Sequence, residues 1–243
     1  WEFVRLGVVG AGADEFEPRW LTPTIEWNVE GFDLSADGRL IAVGVNEGGF
    51  SRLHLLDARS GKRRPAPEVP AGVITGLAFQ RKGRKLALTV TGSRIPGDVF
   101  VFDPRTKRIE RWTTSETGGL DPASFAEPAL VSFPTFDREG GEVRTIPALV
   151  YLPPERFAPP WPVEISIHGG PEGQARPVWL GQANYRVDQM GIALVRPNVR
   201  GSAGYGKSYL LLDNGKRRED TVRDIGALLG WIGTRDDLDQ ERP

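Results

Sequence analysis

Residues Trp161 to Lys207 read WPVEISIHGGPEGQARPVWLGQANYRVDQMGIALVRPNVRGSAGYGK, and this stretch decides the fold. Two short apolar runs, 163–167 and 192–195, each empty into a glycine-rich turn. The first turn is His168-Gly169-Gly170-Pro171; the second is Arg200-Gly201-Ser202-Ala203-Gly204-Tyr205-Gly206. Runs this short, bounded by turn residues, read as buried strands. Between them, residues 181–190 read as a helix, and a final helix carries Val222, Ile225, Leu228, Leu229 and Ile232 at helical spacing. Strands that alternate with helices imply a parallel sheet covered by helices.

Upstream of the stretch, 131–136 and 143–152 flank the turn Asp137-Arg138-Glu139-Gly140-Gly141-Glu142 and predict an antiparallel hairpin. Pro147 cannot donate to a ladder, so the early part of the second strand is expected at an edge or a bulge. Residues 118–128 are rich in small side chains and mark a crossing between domains, with 1–128 as one and 129–243 as the other.

The N-terminal part repeats itself. Gly31-Phe32-Asp33-Leu34-Ser35-Ala36-Asp37-Gly38-Arg39-Leu40 is echoed 45 residues later by Gly76-Leu77-Ala78-Phe79-Gln80-Arg81-Lys82-Gly83-Arg84-Lys85. Leu53-His54-Leu55-Leu56-Asp57 is echoed 46 residues later by Val99-Phe100-Val101-Phe102-Asp103. A period of about 40–45 residues with several short strands per unit is the spacing of a β-propeller blade. Gly38 and Gly83 would supply the positive φ that tight hairpins need. Residues 3–9 and 25–29 read as remains of an earlier blade.

Composition excludes several functions. With 31 basic and 32 acidic residues there is no electrostatic footprint for nucleic acid. No apolar run approaches the roughly 18 residues that span a bilayer. Zero cysteines exclude disulfides, thiolate metal sites and a cysteine nucleophile, and fit a reducing cytoplasm. The two histidines, His54 and His168, are too far apart in sequence to suggest a metal site. No cofactor is expected. The chain starts at Trp1 with Met190 as its single methionine, and it closes on the polar residues 238–243, so both ends read as cuts in a longer chain.

A buried strand ending in a His-Gly-Gly turn is how α/β-hydrolases build half of an oxyanion hole. From Ile146 onward the chain resembles the first half of the α/β-hydrolase domain of the prolyl oligopeptidase family, in its acylaminoacyl-peptidase and dipeptidyl-peptidase-like branch. The residues that carry the resemblance are Ile146-Pro147-Ala148-Leu149-Val150-Tyr151, Ile167-His168-Gly169-Gly170-Pro171-Glu172-Gly173-Gln174, Pro197-Asn198-Val199-Arg200-Gly201-Ser202-Ala203-Gly204-Tyr205-Gly206, Asp213-Asn214-Gly215 and Asp224-Ile225-Gly226-Ala227-Leu228-Leu229. The Asp-Gly-Arg repeats resemble the family's WD40-like propeller. The fold so implied is a β-propeller fragment followed by the N-terminal half of an α/β-hydrolase domain. The implied activity is that of a serine peptidase acting on short or N-acylated peptides through an acyl-enzyme, with the propeller restricting access.

In that arrangement the nucleophile sits in a G-x-S-x-G elbow, followed by the acid and then the histidine. None of the serines here has glycine two positions before and after it; Ser202 comes nearest, with Gly204 after but Arg200 before. The triad is therefore expected beyond these residues, and the 243-residue chain alone is expected to be inactive and to escape labelling by a fluorophosphonate. Its expected partners are short peptides and the rest of its own domains.

What the resemblance leaves here is the oxyanion loop: His168, Gly169 and Gly170. Glycine there lets a substrate approach the backbone closely, and one oxyanion donor is worth about 3–4 kcal/mol in the transition state. His168 either borders that pocket or shapes the turn by local hydrogen bonds. Arg200 is expected to brace its turn through backbone carbonyls rather than bind substrate, and Tyr205 to pack on the next helix. Glu219, Asp220 and Asp224 fit a helix start, where the dipole favours negative charge. An esterase or lipase shares the His-Gly-Gly turn, and a non-catalytic propeller scaffold is the alternative outside enzymology.

Overall fold

The computed structural model describes residues 2–10, 17–170, 172–239 and 241. By their contacts these fall into two units, Trp1–Thr91 with Gly97–Ser115, and Gly92–Pro96 with Glu116–Pro243.

The first unit is made of strands. β1 (Gly7–Val8) pairs with β2 (Arg19–Trp20). Then come β3 (Asn28–Leu34), β4 (Leu40–Glu47), β5 (Phe50–Asp57) and β6 (Arg63–Arg64), which lie side by side in chain order in one sheet. β7 (Val73–Phe79), β8 (Leu86–Gly92), β9 (Ile95–Asp103) and β10 (Arg108–Arg111) do the same in a second. β4 reads LIAVGVNE and lies between β3 and β5, which buries Ala42, Val43 and Val45 completely. Each of the two valines contributes about 1.5–3 kcal/mol on leaving water.

The two sheets repeat in register as well as in order. Leu34 pairs with Ile41 and, 45 residues on, Phe79 with Leu86. Both ladders slip at the matching place, between Val29 and Gly31 and between Ile74 and Gly76. A bulge of this kind adds twist and is retained as a feature of the fold. It also corrects one expectation: Asn28 and Val29 belong to β3 itself, and the extra residue at Glu30 hides their continuity with Gly31–Leu34. Ahead of them, Leu6, Leu21 and Ile25 pack on Ile41, Val43, Val45 and Leu56. The hairpin glycines have the expected backbone, with φ of +68° at Gly38 and +153° at Gly83.

The second unit holds β11 (Ala129–Glu139), β12 (Glu142–Tyr151), β13 (Val163–Ile165) and β14 (Ala193–Pro197), ordered β11-β12-β14-β13. The sheet is mixed rather than wholly parallel. β13 runs parallel to β14, whereas β12 is antiparallel to both β11 and β14. The reason is connection length. Gly140 and Gly141, both at positive φ, turn β11 straight back into β12, which permits only an antiparallel pair. The crossover from β13 to β14 carries α1 (Gln182–Met190) and so permits a parallel one. Pro147 pairs with Ser132, just before β12 begins to pair with β14 at Ala148, so the early part of β12 is an edge as expected.

Three short helical segments were not anticipated: α2 (Lys207–Leu210) and the 3₁₀ turns Leu211–Asp213 and Gly215–Arg217. α3 (Arg218–Ile232) packs Leu228 and Ile232 against Phe133, Ile146, Val150, Val163 and Val195. Its buried stripe is Asp224, Leu228 and Ile232, four residues apart each time. Val222 and Leu229, expected on that face, are 70% and 46% exposed. A carboxylate has taken the place of an aliphatic residue in the stripe. Beyond α3, Leu238 is buried in the same core and bridges to Trp161. No helix among the described residues is long and apolar enough to cross a membrane.

Candidate active site

β13 delivers the chain to the His168–Gly170 turn. Ser166 N–H still donates to Val195 O at 2.9 Å, so the ladder holds the chain until two residues before His168. After that the backbone leaves the sheet. Gly170 adopts φ of +101°, a region where a side chain would be strained. Pro171 lies outside the described residues. A Cβ at Gly173 would stand 2.8 Å from Gly169 O and 2.9 Å from His168 Nδ1, so the turn can curl back on itself only because residue 173 is glycine.

Gly169 and Gly170 are exposed, and among the described residues neither N–H donates a hydrogen bond. Unpaired backbone donors at a turn facing solvent are free to meet an acceptor from outside the chain.

His168 touches its own turn and a second one: its Nδ1 lies 3.3 Å from Gly169 O, as expected of a residue that shapes the loop. Its Nε2 lies 2.9 Å from Ser202 Oγ, in the second glycine-rich turn. Ser202 is fully buried and its hydroxyl donates to Val199 O at 2.6 Å. The hydroxyl proton is therefore committed, so the proton between the two side chains belongs to Nε2. Ser202 is thereby an anchor for the imidazole.

The two turns are joined by more than this contact. Asn198, at the end of β14 and fully buried, accepts from Ala175 N–H at 2.6 Å and donates to Ala175 O at 3.1 Å and to the Tyr205 hydroxyl at 2.9 Å. Ala203 N–H donates to Gly173 O at 2.9 Å. Tyr209 in α2 donates its hydroxyl to Asn198 O at 2.7 Å. Burial, with the Asp224 carboxylate next in weight, pushes that hydroxyl far above its ordinary range and keeps it a donor. Tyr205 packs its ring 5.3 Å from that of Tyr209, as expected of a residue braced by the next helix. Asn198 and Gly173 stood inside the quoted motifs without a role. The only sequence signal for Asn198 was a lone amide directly after a buried strand.

Arg200 is the clearest correction. Its guanidinium grips carboxylates, not backbone carbonyls: Asp224 through Nε at 2.9 Å and Nη2 at 2.8 Å, and Asp137 through Nη2 at 2.9 Å. Thr135 Oγ1 completes the cluster on Asp224 at 2.6 Å, and the Arg200 N–H reaches the same carboxylate at 3.1 Å. Burial alone would pull the Arg200 guanidinium down, but the bonded carboxylates of Asp224 and Asp137 outweigh it and raise it. At 3% exposure Arg200 is not available to a substrate. Asp224 is not a helix-start residue either, since α3 begins at Arg218, and its role is to tie α3 to the second turn. Glu219 and Asp220 do lie in the first turn of α3.

The other expected positions are simpler. His54 sits on β5 with Nε2 3.5 Å from Glu47, and burial, aided by Arg63, holds its imidazole below the usual range. Among the described residues no group of three or more histidine and acidic side chains could hold a metal.

No family model matches the chain. Its sequence is similar to a probable dipeptidyl-peptidase 5 of Aspergillus clavatus, with 28% identity over 177 residues, covering 70% of this chain and 23% of the relative. Among solved structures it is similar to puromycin hydrolase, with TM-score 0.72 and 25% identity, covering 93% of this chain and 35% of that one. Prolyl oligopeptidase B of Galerina marginata gives TM-score 0.79 at 18% identity, covering 95% of this chain and 31% of that one. Together these relatives and neighbours match the prolyl oligopeptidase family. The chain spans 23–30% of the length of the dipeptidyl-peptidase 5 relatives it matches.

Proposed function

We propose that this chain is part of a serine-type peptidase, in which Gly169 and Gly170 present backbone N–H groups to the oxyanion of an acyl-transfer intermediate. On this reading the second unit opens an α/β-hydrolase domain and the repeated sheets are blades of a propeller. The observation that carries the proposal is the pair of unpartnered N–H groups on a glycine turn at the end of a parallel strand. That is where an α/β-hydrolase supplies one of its two oxyanion donors. The names of the relatives support peptide hydrolysis as the reaction.

The chemistry asked of the loop is electrostatic. As a nucleophile adds to the scissile carbonyl, charge collects on its oxygen, and donors already in place stabilise it without reorganising. The bonds from His168 to Ser202 and from Ala203 to Gly173 keep the turn from relaxing away from that oxygen. His168 then serves the loop as a positioning residue, its Nε2 being engaged.

Gly169→Pro in the full-length enzyme deletes one donor and no side chain. The expected result is a fall in kcat on a peptide substrate of about 10²–10³-fold with KM nearly constant. An unchanged kcat would overturn the assignment.

A further inference from the structure

The first unit contains a cleft of about 740 Å³ at the turns that close its hairpins. Its volume falls in the range of small-molecule sites, about 300–1,000 Å³. The floor is apolar, with Leu40, Leu55 and Phe102 among the lining residues. The rim carries five cations and two carboxylates, and the carboxylates are already matched. Arg84 pairs with Asp37 at 2.9 Å and Arg64 with Asp57 at 2.6 Å. That leaves Arg39, Arg59 and Lys107, whose charged groups have no ion-pair partner among the described residues.

Lys107 supplies a second, independent observation. Its φ is +58°, and it is the sole non-glycine residue at positive φ among those described. The matching turn of the preceding repeat shows what the backbone prefers. Gly61 N–H donates to Asp57 O at 2.8 Å and Lys107 N–H to Asp103 O at 2.8 Å, the same turn with φ of +72° at Gly61. Glycine adopts this conformation freely, whereas an L side chain is strained in it. Among the described residues the Lys107 ammonium makes no ion pair that would offset the strain. A strained residue that the fold does not require is a mark of function.

We infer that this cleft binds a small organic polyanion, an apolar body bearing two or three carboxylate or phosphate charges, with Arg39, Arg59 and Lys107 as its counter-charges. The apolar floor takes the body and the rim takes the charges. Guanidinium groups suit both oxyanions because their parallel N–H groups match them in pairs. The site is independent of the peptidase reading and survives its failure.

The test is calorimetric titration of the full-length protein with three probes: benzene-1,3,5-tricarboxylate, ADP without metal, and uncharged benzene-1,3,5-tricarboxamide. The proposal requires one of the two anions to bind, and which one does so separates carboxylate from phosphate as the source. It also requires affinity to fall as salt rises and shortens the Debye length. Arg39→Gln with Arg59→Gln should weaken binding at least about tenfold. Lys107→Gly should weaken it about threefold or more without lowering Tm, because Gly61 already serves the same turn in the first repeat. The proposal falls if neither anion binds at low salt, if the triamide binds as well as the tricarboxylate, or if either variant binds like the wild type.

Discussion

The two units bury polar groups in different ways. In the repeated sheets the buried polar residues are mostly small ones, such as Ser35 and Asn46, which close turns, and Ser51, which accepts from Ile74 N–H of the other sheet. The one fully buried carboxylate there, Asp98, faces Arg111, whose side chain is 37% exposed. In the second unit the buried set includes Asn198, Arg200, Ser202 and Asp224, each hydrogen-bonded in or to one of the two glycine-rich turns. A stacked sheet repeats an apolar solution, and polar groups finish its ends. A site that must hold loops in one geometry requires directional bonds, and these are strong only where water is kept out.

The sharpest way to break this contrast is to delete the acid from each unit. Asp224→Ala removes one of the two carboxylates that hold the buried Arg200 guanidinium and strands the Thr135 hydroxyl and the Arg200 N–H, and should cost about 3–5 kcal/mol. Asp98→Ala removes bonds to Arg111, Thr113 and Ser115. Those donors lie near the surface and can turn to water, so the loss should be about 1–3 kcal/mol. Denaturant unfolding followed by hydrogen exchange in β12 and in β9 measures both. Equal losses would erase the distinction.

Glycine turns give the next contrast. At Gly201, φ is +87° and a Cβ would sit 2.3–2.6 Å from the buried Asp213 carboxylate. At Gly38, φ is +68° but the space around it is open. Gly38→Ala should therefore cost about 1–2 kcal/mol from the backbone alone. Gly201→Ala should cost more, because Asp213 must also move, and melting curves of the two variants give the order.

The smallest effect is on acid stability. Burial, then Arg63, depresses the His54 imidazole, so the folded chain holds fewer protons there than the unfolded one. Its contribution is whole above the unfolded value, about 6.5, and fades as pH falls from there toward the folded value. Asp137 works lower on the scale. Burial would raise it, but its bonds to Arg200 and Arg144 prevail and lower it. Its contribution is whole above about 3.9 and is lost as pH falls through the folded value. On acidification, amides of β5 should lose exchange protection before those of β12, and His54→Gln should remove the difference between pH 7 and 5.5.

Much of this architecture was legible in advance. The 45-residue echo foretold two sheets whose registers match, and Gly140-Gly141 foretold the β11–β12 hairpin. These are local properties, carried by periodicity and turn chemistry. The sheet's mixed direction was less visible, because strand order depends on where α1 returns the chain. The role of Asp224 was invisible, since a charge among apolar residues reads as a helix start until something is found opposite it.

Sequence alone determined the repeats, the turns and the exposed pair Gly169 and Gly170, because each depends on residues adjacent along the chain. Tertiary structure decided what those turns are fastened to: Ser202 on His168, Asn198 on Ala175, and Arg200 between Asp224 and Asp137. Such pairings join positions 23 to 63 residues apart, and a buried polar group acquires its meaning only from the partner that folding brings to it.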